Sequence, residues 1–197
     1  LTLDPTTGAV LEQGVVGYEP VAMAFDEAAG RLYIANREGA NVAVIDPDRQ
    51  PFLATVPLAT SITDQAVHPE NGTLYVAHSS ADQVLALQEG QVRDAWRVRP
   101  YPLHLAYIAP IQRLAVLSYA QGEVALLDDA GAVTASVATS ARPVGLSLDL
   151  AHQRIYAGET IIDWQTGVTS TWRVPGVTLG SESPPQQIVV DTRRGIP

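Results

Sequence analysis

The chain has 197 residues, 46% of them hydrophobic, and a net charge of −9 from 21 acidic side chains against twelve cations, every one an arginine. That balance argues against a nucleic-acid partner, which needs a basic face to displace counterions from phosphates. No segment approaches the ~18 apolar residues of a membrane span. The absence of cysteine removes disulfides, thiolate metal sites and cysteine nucleophiles together.

Taken in chain order, the apolar runs are short and recur. Residues 1–14 hold two of them on either side of Asp4-Pro5-Thr6-Thr7-Gly8. The next copy opens at Glu19-Pro20, with strands expected at about 21–25, 31–35, 41–45 and 52–56, here lettered A to D. A second copy carries Leu74-Tyr75-Val76-Ala77 where the first has Leu32-Tyr33-Ile34-Ala35. The third answers with Leu114-Ala115-Val116-Leu117 and the fourth with Ile155-Tyr156-Ala157-Gly158. Prolines at 20, 102, 143 and 184 are spaced by multiples of 41, and Ser61 fills the missing place. Turn residues such as Glu38-Gly39, Asn71-Gly72, Gln121-Gly122 and Ala130-Gly131 separate the runs, as antiparallel hairpins require. No 12-residue window shows a capped helical period, so almost no helix is expected.

A repeat of about 40–45 residues with four short strands predicts an all-β chain of β-propeller blades. The blades are expected at about 17–58, 59–100, 101–141 and 142–184, with partial blades at 1–16 and 185–197, or about four and a half in all. Two ring closures remain open at this point. One is a segment of a seven-bladed ring within a longer, multi-domain chain. The other is a closed five-bladed ring in which the last strand pairs with the first two.

The wording of the repeat carries a resemblance. Leu32-Tyr33-Ile34-Ala35-Asn36, followed by Asn41-Val42-Ala43-Val44-Ile45-Asp46, resembles the Tyr-Val-Thr-Asn (YVTN) repeat propellers, and Leu74-Tyr75-Val76-Ala77-His78 is a second copy. Ala115 and Gly158 depart from that pattern. The resemblance implies a propeller of mostly extracytoplasmic bacterial or archaeal proteins, so a periplasmic, secreted or cell-surface location is expected. It also implies distant kinship with lactonase-like enzymes and with heme-bearing nitrite reductase domains.

In such a fold, strand A of every blade lines the central channel, and the D–A and B–C loops share one face. The aligned position near the start of strand A holds Ala22, Asp64, His104, Gly145 and Gln187. Asp64, His104 and Gln187 could converge on a polar ligand. Asp64 and His104 could supply ligands to a divalent metal, the only cofactor these residues suggest; otherwise they are wet channel-lining groups. The fourth blade has a shortened B–C connection and a long D–A connection through 175–185. Trp164 and Trp172 lie in that blade, where aromatics beside a long loop could anchor a partner.

The remaining repeated polar residues read as structural. Asp26, Asp149 and Asp191 recur at the end of strand A, and Asp4, Asp46, Asp128 and Asp163 at the end of strand C, where carboxylates cap turns. His68, His78 and His152 stand in or beside turns. No nucleophile elbow, paired-carboxylate signature or phosphate loop is present. The expected function is a non-enzymatic scaffold that binds a protein or surface polymer through its loop face. The competing expectation is a channel-centred lactonase-like or metal-binding enzyme domain.

Overall fold

The computed structural model describes residues 2–47, 52–58, 61–139 and 142–171. Its strands form one two-stranded and four four-stranded antiparallel sheets. The two-stranded sheet joins β1 (Thr2–Leu3) to β2 (Val10–Glu12). The first full sheet runs β3 (Pro20–Asp26), β4 (Arg31–Asn36), β5 (Asn41–Ile45) and β6 (Phe52–Pro57). The second runs β7 (Ile62–Val67), β8 (Leu74–His78), β9 (Gln83–Gln88) and β10 (Gln91–Arg97). The third runs β11 (Pro102–Ile108), β12 (Arg113–Ser118), β13 (Glu123–Leu127) and β14 (Val133–Ala138). The fourth runs β15 (Leu146–Asp149), β16 (Arg154–Ala157), β17 (Thr160–Asp163) and β18 (Thr169–Thr171). Each sheet is a simple meander, with neighbours in sequence paired in space. The only helical pieces among the described residues are single 3₁₀ turns at Ser79–Ala81 and Ala109–Ile111.

Middle strands buried on both faces explain why the repeat reads as unbroken apolar runs rather than as alternation. Along β8, Leu74 and Val76 pack toward the first sheet with Ala35, Val42 and Val44. Tyr75 and Ala77 point the other way and pack on Leu105, Leu114 and Val116 of the third sheet. A third cluster joins Ala115, Leu117, Val124 and Leu126 to Ile155, Ala157, Ile162 and Trp164. Each fully buried leucine or isoleucine contributes roughly 1.5–3 kcal/mol. The three clusters therefore hold consecutive sheets face to face, which is how propeller blades stack.

The first strand of each sheet lies innermost: β3 sits beside β7, β7 beside β11, and β11 beside β15. Register confirms the alignment of their polar positions. Ala22 pairs with Ala35, Asp64 with Ala77, and His104 with Leu117, while the Gly158 N–H bonds the Gly145 carbonyl. Leading-face residues of β7 and β11, such as Gln65 and Leu105, are buried against the preceding sheet. Their counterpart in β3, Met23, is 71% exposed.

Turn carboxylates act as the repeat implies. Asp4 accepts the Thr6 and Thr7 amides, Asp128 those of Ala130 and Ala132, and Asp163 those of Gln165 and Thr166. Asp26 accepts Ala29 N–H, and Asp149 accepts His152 N–H. Those amide bonds hold the Asp4 and Asp163 carboxyls below their ordinary range.

Candidate functional site

Two of the aligned strand-A residues, Asp64 and His104, meet through hydrogen bonds that step from blade to blade. Asp64 Oδ2 accepts the Leu105 N–H at 2.9 Å and lies 3.2 Å from His104 Nδ1. His104 Nε2 stands 2.8 Å from the Val144 carbonyl, just ahead of β15 of the fourth sheet. Asp64 Oδ1 is held by the Gln65 N–H at 2.8 Å. Thr63 donates to the Pro102 carbonyl, and Gln65 Nε2 donates back to the Ala22 and Tyr33 carbonyls of the first sheet. Partners in the bonds that cross between blades are separated by 32 to 43 residues. The sequence period is thus the physical step between neighbouring blades.

This geometry fixes what His104 can do. A backbone carbonyl can only accept, so Nε2 carries a proton. The Asp64 carboxylate also accepts, so Nδ1 carries one too. Burial disfavours the charged ring, yet the Asp64 bond and charge and the Val144 carbonyl outweigh it and raise its pKa above the ordinary value. Both ring nitrogens of His104 thus face acceptors, and the ring ties the second, third and fourth blades together. No group of three or more His, Cys, Asp or Glu side chains poised for a metal occurs among the described residues. Gln187 and Trp172 lie outside the described residues, as do the 175–185 connection and Asp191. Trp164 is 8% exposed and belongs to the core between the third and fourth sheets.

Around the channel mouth runs a feature that sequence reading does not expose. Ahead of the first strand in each of the four four-stranded sheets, one aligned residue has positive φ: Glu19 (52°), Ser61 (72°) and Tyr101 (60°) directly before the strand and Arg142 (52°) four residues before β15. None is glycine, so each costs roughly 1–2 kcal/mol of backbone strain. The surrounding bonds compensate: Arg37, Ser79 and Tyr119 amides donate to the carbonyls of Glu19, Ser61 and Tyr101. Those donors come from the B–C loops, so the D–A and B–C loops share one face. The side chains differ completely. Glu19 pairs with Arg37 at 2.8 Å, Ser79 Oγ bonds the Ser61 carbonyl, and the Tyr101 and Tyr119 rings lie 5.8 Å apart.

A second network crosses the same blades on the opposite face. His68 Nδ1 accepts the Glu70 and Asn71 amides, as its turn position suggested. Its Nε2 therefore carries the proton and meets Tyr107 Oη at 2.7 Å, and that phenol donates to Asp129 Oδ1 at 3.0 Å. The only sequence hint is substitution at aligned places: Tyr107 stands where other blades have Phe25, Val67 and Leu148, and His68 where two have aspartate.

No family model matches the chain, and no curated protein matches it in sequence. Solved structures do match in shape. Hydrazine synthase from Kuenenia stuttgartiensis aligns with TM-score 0.70 at 17% identity, over 84% of this chain and 53% of that one. Virginiamycin B lyase from Staphylococcus aureus aligns at 0.67 and 12%, over 82% and 57%. A streptogramin B lyase aligns at 0.68 and 11%, over 83% and 57%. The fold is therefore that of a β-propeller, and the chain spans just over half the length of these structures.

Proposed function

We propose that this chain is a binding scaffold of the Tyr-Val-Thr-Asn repeat type, which engages a protein or surface polymer outside the cytoplasm through its D–A/B–C loop face. One observation carries the reading. Four consecutive blades hold the same left-handed backbone before strand A and vary only the side chain it displays: Glu19, Ser61, Tyr101, Arg142. A frame that repeats while its displayed chemistry changes is the arrangement by which repeat proteins recognise extended partners. The channel floor supports the same reading, because the carboxylate oxygens of Asp64 and the ring nitrogens of His104 are engaged in holding blades together.

The test compares two surfaces. Binding of immobilised protein to cell-surface extracts of the source organism is expected to fall at least tenfold in the Tyr101→Ala/Arg142→Ala variant. It is expected to be unchanged in a control with Thr169→Ala and Ser170→Ala on the outer strand β18. Equal loss in both variants would contradict the assignment of the face. So would one equivalent of divalent metal retained through dialysis by the wild type and lost in His104→Ala, which would favour the channel-centred enzyme.

A further inference from the structure

The face opposite the channel mouth carries a cleft of about 110 Å³ between the second and third blades. Its walls combine aromatic rings with carboxylates. Trp96 and Tyr75 lie with ring centroids 5.5 Å apart, and Asp94 and Asp129 share the lining. We propose that this cleft binds a small organic cation, a guanidinium or alkylammonium head group, stacked on Trp96 and paired with Asp94 and Asp129.

Three features support the site. First, its anionic side is built rather than incidental. Asp129 receives the Tyr107 hydroxyl, itself bonded to buried His68. Burial and then the Asp129 carboxylate push the pKa values of both Tyr75 and Tyr107 up, so these phenols stay protonated as donors that hold Asp129 in place. Second, neither carboxylate is paired with an arginine among the described residues: Arg93, which shares the lining, lies 3.8 Å from Glu89 instead. Third, the indole is fixed. A Cβ at Gly131 would collide with the Trp96 ring, so only glycine at this position (φ +80°) lets the ring lie flat against the turn. One indole face is seated there and the ring borders the cleft. A positioned indole beside two carboxylates with no arginine partner among the described residues favours a flat, weakly hydrated cation, because stacking and ion pairing then act together.

The experiment titrates methylguanidinium at constant ionic strength and follows the Trp96 indole N–H by NMR. Parallel titrations use methylammonium, acetate and a capped Gly-Arg-Gly peptide. The expected result is a saturable shift with methylguanidinium, weakened at least tenfold in Asp94→Asn and in Asp129→Asn, and retained in His104→Gln on the other face. Asp94 makes no bond to the tyrosines, so Asp94→Asn remains informative even if Asp129→Asn perturbs them. Tighter binding of the peptide than of methylguanidinium identifies a protein side chain as the source, and equal binding a free amine. No saturable shift, an unchanged shift in Asp94→Asn, or a stronger response to acetate would overturn the proposal.

Discussion

His68 and His104 both bridge the second and third blades, both lie close to an aspartate, and both make two sets of polar contacts. They nevertheless hold different numbers of protons. His104 faces a carboxylate and a carbonyl, two acceptors that favour the doubly protonated ring. His68 faces two backbone amides through Nδ1 and a phenol through Nε2, and so holds one proton and passes a directed bond chain to Asp129. The lesson is that partner type decides charge state, not residue type or distance to a carboxylate. His68 lies 3.6 Å from Asp129 Oδ2, within ion-pair range, but the amide donors on Nδ1 leave no room there for a second proton.

Substitutions sharpen the contrast. The largest effect is expected for His68→Leu, because His68 is 3% exposed and its loss orphans two backbone amides and the Tyr107 hydroxyl. A loss of about 2–3 kcal/mol in urea unfolding is predicted. Tyr107→Phe removes only the middle link and should cost about 1–2 kcal/mol by the same measurement.

His104→Gln is next, at about 1 kcal/mol, because this side chain remains 28% exposed and solvent can serve its partners. Its effect depends on pH. The folded-state pKa is raised above the ordinary histidine value of 6.5, so the proton binds the folded state more tightly. The stability it supplies is fully present below pH 6.5 and declines as pH rises through the folded value. The gap between wild type and His104→Gln should therefore narrow on going from acid to alkaline conditions. A gap that widens instead would contradict the imidazolium assignment. Smallest is Glu19→Ala at the channel mouth. Its ion pair with Arg37 is exposed on both sides (44% and 41%), and a change within about 0.5 kcal/mol is expected in thermal unfolding.

The blades were legible in the sequence because a strand buried on both faces must be apolar at every position. Leu74-Tyr75-Val76-Ala77 shows that directly. The alignment of Ala22, Asp64, His104 and Gly145 was legible for a related reason: a fixed period places equal positions at equal heights. What those polar groups do was not legible. Val144 contributes only a carbonyl, and backbone partners leave no mark on residue identity. The positive φ values at Glu19, Ser61, Tyr101 and Arg142 were hidden too, since glycine, the usual signal, is absent there. Trp164 reads as a loop aromatic, yet its side chain turns into the apolar cluster of the third and fourth sheets. The cleft at Trp96 depends on Gly131 from the neighbouring blade, a contact 35 positions away that no local pattern announces.

The most direct test of the contrast is a long-range ¹H–¹⁵N correlation of the histidine rings slightly below the ordinary histidine pKa of about 6.5. The account predicts two protonated nitrogens for His104, one toward Asp64 and one toward the Val144 carbonyl. A neutral His104 under those conditions would contradict it.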